Sequence, residues 1–321
     1  MTLRRIQSGS FPLKALLTAF LIGLAAAFLH LGDPLENAMK LARIKLRDHP
    51  PSGQIVLVAI DDRSLAEFGA APWSGTRIAE LLDRVRAANP RAVHLDTALP
   101  GEGASSDAAR LEASLAAFDA PVTLPARFSI DRLSERRAIV PPPRFARHAQ
   151  LVNTNLYEEW DGRIWSHLYG AVVGERFLPS LATSLAGRDY QSSGHFPIDH
   201  ALNARTIPVV SAGDLLGNRV RPSQLAGKSV VIARTDIGAD HFVVPGTGLV
   251  PAIMFHILAA ETLVEGTPIN AGWFPPLVLA MALASIILIS RRRSVAAGTI
   301  IFAAVAFLVG PLLLEFQHIH V

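Results

Sequence analysis

Three runs without a single charged side chain constrain this sequence more than any other feature. Residues 15–32, "ALLTAFLIGLAAAFLHLG", form the first. At 1.5 Å of helical rise per residue, such a run approaches the roughly 30 Å of a bilayer's hydrocarbon core. A cleaved signal has a shorter apolar stretch and a small-x-small cleavage site, so an uncleaved anchor fits better. The second run, 266–290, opens near Trp273 and Phe274, an interfacial aromatic pair. The third covers 294–314, and only Arg291-Arg292-Arg293 separates it from the second.

Charge sets the expected orientation. The acid-free start carries Arg4, Arg5 and Lys14, and the triple-arginine turn is basic too. The positive-inside rule places both in the cytoplasm. The expected order is a cytoplasmic N-terminus (1–14), a span (15–32), an outside domain (33–268), a span (269–290), a cytoplasmic loop (291–293), a span (294–314) and an outside tail (315–321). This predicts a multi-pass protein of the inner (plasma) membrane, its main domain on the periplasmic or extracellular side. With its tail outside, the chain needs a cytoplasmic output from elsewhere. A continuation beyond Val321 is preferred over a separate partner.

Half of the residues are hydrophobic and 18% charged, with a mean hydropathy of +0.33. That balance fits a soluble domain joined to membrane helices. The net charge of +3 is scattered, which gives nucleic-acid binding no support. The absence of cysteine removes disulfides, thiolate zinc sites and cysteine nucleophiles.

Between the first two runs, the apolar spacing of Leu35, Met39, Ala42 and Leu46 predicts an amphipathic helix over 33–48. Strands follow at 55–60, 92–95 and 121–124, alternating with helices at 75–88 and 106–118. A further strand (227–233) and a helix (251–264) close the region. The alternation predicts an α/β fold: an extracytoplasmic mixed, largely parallel sheet with helices on both faces, plus three transmembrane helices. The middle, around 141–170, mixes turn signals with aromatic segments and predicts an antiparallel excursion or lid.

The motifs that could carry chemistry are sparse. Asp61 and Asp62 end the first strand, and Asp96 ends "AVHLD" at a comparable place, near Asp61 in a parallel sheet. A phosphoacceptor cluster would also need a lysine after the last strand, where "ARTDIGAD" stands. The acid-x-acid spacing of the haloacid-dehalogenase phosphatases is missing as well. The structural alternative has Asp62 capping the helix near Ser64 and Asp61 pairing with an arginine. "LAGKSVVI" has Pro222 where a phosphate loop needs glycine, and it precedes its strand. "GEGASSD" reads as a loop ending in an Asp107 helix cap. The histidines show no metal-ligand spacing, His318-x-His320 at the tail included. No catalytic residue, metal site or cofactor is expected.

One group of segments resembles a known family. "IVLVAIDDRSLAEFGAAPWSGTRIAELLDRV" is similar to the opening of the class-2 CHASE domain, the cyclase/histidine-kinase-associated sensory extracellular domain. The shared features are Asp61, Ser64-Leu65, Gly69, Pro72-Trp73 and a displaced Arg77. "AVHLDTALPGEGASSDAARLEASL" resembles the next strand and Asp-led helix, with Asp96 and Asp107. "DGRIW" and "LPSLATSLAG" resemble the mid-domain turn and helix. "LAGKSVVIARTDIGADHFVVP" resembles the closing strand and loop, with Gly227, Lys228, Gly238 and Asp240. The resemblance runs from about Leu35 to Gly266. It departs in "APW", in the inserted Ser74-Gly75 and in "VVP".

The resemblance implies a sensor that relays an outside ligand to a cytoplasmic effector: a nucleotide cyclase, histidine kinase, Ser/Thr kinase or diguanylate cyclase. That effector would be in cis or on a partner in trans. It implies a homodimer, an unidentified small-molecule or envelope ligand, and no enzyme activity in this portion. A parallel sheet gathers Asp61, Arg77, Asp96 and Asp240 toward its carboxyl edge as ligand-binding candidates, with Trp73 as an aromatic wall. The alternative is a membrane-anchored extracytoplasmic metal-dependent hydrolase built on Asp61, Asp62 and Asp96. For Asp61 and Asp62, bracing the helix that carries Arg77 is preferred over contact with a ligand.

Overall fold

A computed structural model describes residues 17, 18, 20, 21, 23, 33–101, 105–130, 136–159, 161–267, 269–272, 274–290 and 292–320. The chain divides into two compact units, residues 48–267 and residues 1–47 with 268–321.

The larger unit is built on β1 (Ile55–Ile60), whose six residues are all buried. Side chains alternate across a strand, so a strand apolar throughout must be covered on both faces. Ile55, Leu57 and Ala59 pack into one core, while Val56, Val58 and Ile60 pack into the other. The chain continues through α1 (Asp62–Phe68), α2 (Gly75–Ala87), β2 (Ala92–Asp96), α3 (Ser106–Ala116), β3 (Val122–Ile130), β4 (Arg136–Ile139) and β5 (Gln150–Asn153). After the middle segment come α4 (Leu181–Leu185), β6 (Val209–Ser211), α5 (Ala212–Leu216), β7 (Ser229–Arg234) and α6 (Ile253–Glu265).

The sheet order is β6-β1-β7-β2-β3-β4, with β5 also on β3. Every pair is parallel except β3–β4. Helices α2, α3 and α5 contribute to one core, α4 and α6 to the other. The expected mixed, largely parallel sheet with helices on both faces is therefore present. The antiparallel excursion expected around 141–170 lies mostly later in the chain, because Gln150–Asn153 joins the main sheet in parallel with β3. Gly170–Val173 pairs with Arg176–Pro179, and Ser166–Leu168 with His195–Pro197.

One expected neighbourhood is corrected. The final strand β7 inserts between β1 and β2. Asp61 and Asp96 thus end strands two spacings apart, about 9–10 Å. Parallel alternation fixes that strands pair, but not which late strand fills the gap.

In the smaller unit, Arg293–Glu315 is a 23-residue helix long and apolar enough to cross a membrane. It matches the span expected at 294–314. Phe274–Ile289 is apolar but has only 16 residues, about 24 Å. Among the described residues, the span expected over 269–290 is helical in that part, while Ile269–Asn270 pairs as a strand with Ile319–His320. The two helices pack against each other. Of the expected first span, Leu17, Thr18, Phe20, Leu21 and Gly23 are helical, and the rest lies outside the described residues. Three membrane helices are therefore not established.

The helix expected over 33–48 forms at Asp33–Arg47, but its buried face differs from the expected one. Leu46 is 70% exposed, while Arg43 and Arg47 are buried. Arg43 Nε donates to Glu315 Oε1 at 2.9 Å and Arg47 to Oε2 at 3.2 Å. A carboxylate recessed at the end of the last helix draws in the i, i+4 arginines.

Candidate functional site

In an open α/β sheet, loops at the carboxyl ends of neighbouring strands diverge and leave a crevice. Here the ends of β7, β2, β3 and β5 enclose a cleft of about 580 Å³. Asp96 ends β2 and Thr97 follows it, Arg127 comes from β3, and Thr154 lies just beyond β5. Arg234, Gly238, Ala239 and Asp240 come from the end of β7 and its loop. Ile139, the last residue of β4, and Val140 to Pro142 after it form an apolar rim. Ala252, the N-cap of α6, and Ile253, its first residue, complete the lining.

Both charge signs meet in the cleft. Burial pushes the Asp96 carboxyl up to about 6, with Arg127 acting against that rise and Asp240 adding to it. Arg234 donates to Asp236 through Nε at 2.8 Å and Nη2 at 2.6 Å, a bidentate pair. Its guanidinium holds the Asp236 carboxyl below the usual range. The Gly238 N–H donates to the same carboxylate at 3.1 Å. The Asp240 carbonyl accepts from Ala252 N–H at 2.8 Å, which ties this loop to the start of α6.

Beneath the Thr154 wall runs a buried histidine chain. His167 Nδ1 contacts the Leu168 carbonyl at 2.8 Å, and His167 Nε2 lies 2.9 Å from His256 Nδ1. His256, on α6, also bonds to the Thr154 backbone. Burial lowers His167 to about 4 and His256 well below its ordinary value, so both rings are neutral at pH 7.

Of the five ligand-binding candidates, the cleft brings together Asp96 and Asp240 and leaves out Asp61, Trp73 and Arg77. Asp61 is the N-cap of α1. It accepts from Ser64 N–H at 2.8 Å, Ser64 Oγ at 2.5 Å and Ser211 Oγ at 3.0 Å. The expected roles within the acid pair are therefore corrected. Asp61 caps and binds hydroxyls instead of an arginine, and Asp62, one residue inside the helix, accepts from Ile237 N–H at 3.3 Å. The Ncap position has the extended backbone that lets a side chain turn back to the helix amides. Trp73 is buried and donates to the Gly69 carbonyl at 2.8 Å. Arg77 pairs with Glu80 at 2.5 Å and lies over Phe68.

Asp107 also departs from its expected role. Ser105 caps α3, while Asp107 reaches α2 and accepts from Gly75 N–H and Thr76 N–H, each at 2.7 Å. Those bonds hold its carboxyl below the usual range. A Cβ at Gly75 would stand 2.7 Å from the Asp107 carbonyl, so only glycine admits this approach.

The cleft arginines, Arg127 and Arg234, were missed in the sequence. Arg234 ends the apolar strand "SVVIAR", where a charge after an uncharged run was the available signal. Arg127 sits mid-strand and carried none.

Fold and site together define an α/β domain with a charged cleft at its carboxyl sheet edge, carried on a chain with an apolar membrane-length helix. A family model for the CHASE2 domain matches residues 15–290. The chain belongs to the CHASE2 family, a sensory domain family of signal-transduction receptors whose members are typically extracellular. No curated protein and no solved structure matches it. CHASE2 is a sensor domain, not a catalytic one.

Proposed function

We propose that residues 48–267 are the extracytoplasmic ligand-sensing module of a multi-pass plasma-membrane receptor. A small polar ligand carrying both charge signs occupies the cleft, its anionic group toward Arg127 and Arg234 and its cationic group toward Asp96 and Asp240. One observation carries the reading: α6 begins in the cleft lining and ends two residues before the chain leaves this unit. A ligand that prefers one placement of the α6 N-terminus biases the whole helix, because a buried helix moves as a rigid element. That bias passes into the membrane segments and on to a cytoplasmic effector, a nucleotide cyclase or kinase in cis or on a partner in trans, within a homodimer.

The proposed topology has separate support. Ile269–Asn270 precedes both C-terminal helices and pairs with Ile319–His320, which follows them. Two crossings would return the chain to one side, with the arginine turn on the other. The apolar side chains of both helices, Ile289 and Ile301 among them, face outward as lipid contact requires.

The hydrolase alternative needs Asp61, Asp62 and Asp96 to converge. Asp61 is committed to Ser64 and Ser211, and Asp96 stands two strands away. The sensor reading is favoured.

Two measurements test the proposal. Because the chain lacks cysteine, Ser192→Cys and Ser294→Cys variants report topology by labelling with a membrane-impermeant maleimide. The expected result is labelling of position 192 from outside and of position 294 only after permeabilisation. The reverse pattern rejects the orientation. For the ligand, the full chain in nanodiscs is screened by thermal shift against free amino acids, with acetate and phosphate as controls that carry negative charge alone. A shift lost in Arg127→Ala and kept in Arg77→Ala is expected. No amino-acid response, or one indifferent to Arg127, rejects the cleft.

A further inference from the structure

At the far end of α6, about 18 Å along its axis from the cleft, three side chains from distant parts of the sequence converge. His49 precedes β1, Asp199 follows the His195–Pro197 strand, and Glu265 is the last residue of α6. One ligand atom from each lies within 4.8 Å of the other two. His49 Nε2 and Glu265 Oε1 are 3.0 Å apart. Two ligands each about 2.0–2.2 Å from a tetrahedral zinc-type ion stand about 3.3–3.6 Å from one another. The pair reaches coordination spacing by opening a few tenths of an ångström.

The surroundings are those of a held ligand set. Asp199 is only 2% exposed. Its Oδ1 accepts from Ala201 N–H at 2.9 Å, and its own N–H donates to Thr262 Oγ1 at 3.0 Å. That hydroxyl is anchored on the Leu258 carbonyl at 2.8 Å. Such outer bonds orient a ligating carboxylate. On the other side, the His49 and Glu265 side chains are 32% and 25% exposed, which leaves an approach and room for water ligands. A further carboxylate, Glu261, lies one turn back on α6 and accepts from Ser52 N–H at 2.9 Å.

The geometry points to a divalent transition-metal site formed by His49 Nε2, Asp199 and Glu265, with zinc or manganese as the ion. One imidazole nitrogen with two carboxylate oxygens selects such ions over magnesium and calcium, which prefer oxygen alone. The site joins the first residues of the sensing unit to its last helix. A bound ion therefore clamps the C-terminal end of α6, through which the proposed signal leaves. Widely spaced ligands gave no motif in the sequence.

The test uses the full chain in nanodiscs, in a His318→Ala/His320→Ala background that removes the tail histidines. Equilibrium dialysis and thermal unfolding are run with Zn²⁺, Mn²⁺, Mg²⁺ and Ca²⁺. One Zn²⁺ or Mn²⁺ per chain is expected, raising the unfolding midpoint by about 5–10 °C at 100-fold excess over Kd. Mg²⁺ and Ca²⁺ should act at least tenfold more weakly. His49→Lys keeps a cation beside Glu265 but cannot ligate, so it separates a metal site from an ion pair. It and Glu265→Gln should each lose binding at least 100-fold, with a metal-free midpoint near that of the parent. The proposal is overturned by no Zn²⁺ or Mn²⁺ binding in the parent, or by binding that survives His49→Lys.

Discussion

Arg43 Nε donates to Glu315 Oε1 at 2.9 Å, joining residues 272 positions apart with side chains no more than 10% exposed. Arg47 Nη1 bonds the other oxygen of the same carboxylate. The helix before the sensing unit is thereby held to the end of the last apolar helix, within one compact unit.

Removing the carboxylate strands buried guanidinium charge. Glu315→Gln is expected to cost about 3–5 kcal/mol, read as a lower unfolding midpoint of the full chain in nanodiscs by circular dichroism. The Arg43→Met/Glu315→Leu double variant should lose less than the sum of its single variants. Additive losses would mean that the pair is not coupled.

Asp61→Ala removes the α1 cap and the link to Ser211. A loss of about 1–2 kcal/mol is expected in urea unfolding, and a smaller one for Asp61→Asn, whose amide oxygen still caps. An amino-acid thermal shift mediated by the cleft should persist in both. Its disappearance would make Asp61 more than a brace.

Asp96 makes the sensing unit less stable as pH rises. Its carboxyl is raised to about 6, so between pH 4 and 6 the native state binds more protons than the unfolded chain. Stability therefore falls across that window and levels off above it. Asp96→Asn abolishes the effect, matching the parent below pH 4 and exceeding it above pH 6 by about 1–2 kcal/mol once partial exposure is allowed for. Denaturation midpoints across pH 4–8 check this.

The His167–His256 pair acts in the opposite sense. Both rings are held neutral by burial, so the unfolded chain binds more protons below about pH 6.5, and stability falls as pH drops from there toward 4. His256→Gln is expected to flatten this acid limb while lowering stability at pH 7 through the altered bond to His167. An unchanged acid limb would assign the slope to other groups, such as buried His94, lowered to about 3.

Much of the architecture was legible locally. The apolar string Ile55–Ile60 announced a strand covered on both faces, and the 75–88 and 106–118 patterns announced helices that form within two residues of those bounds. The site was legible only in part. Asp96 and Asp240 stood out as strand-end and loop acids, whereas Arg127 carried no local signal. Ser105 and Asp107 are two residues apart in one loop, and which helix each serves depended on where α2 passes.

By itself the sequence determined the alternation of strands and helices, the apolar runs and the CHASE2 resemblance. The first two follow from side-chain periodicity and composition within a short window, and the resemblance rests on the segments quoted for it, such as those with Asp61, Pro72-Trp73 and Gly227-Lys228. The tertiary structure alone decided that β7 separates β1 from β2, that Glu315 draws Arg43 and Arg47 inward, and that His49, Asp199 and Glu265 meet. Those outcomes depend on pairing between residues up to 272 positions apart. Long-range pairing is selected by the packing of the whole sheet and the need to satisfy buried charge, which no local pattern encodes.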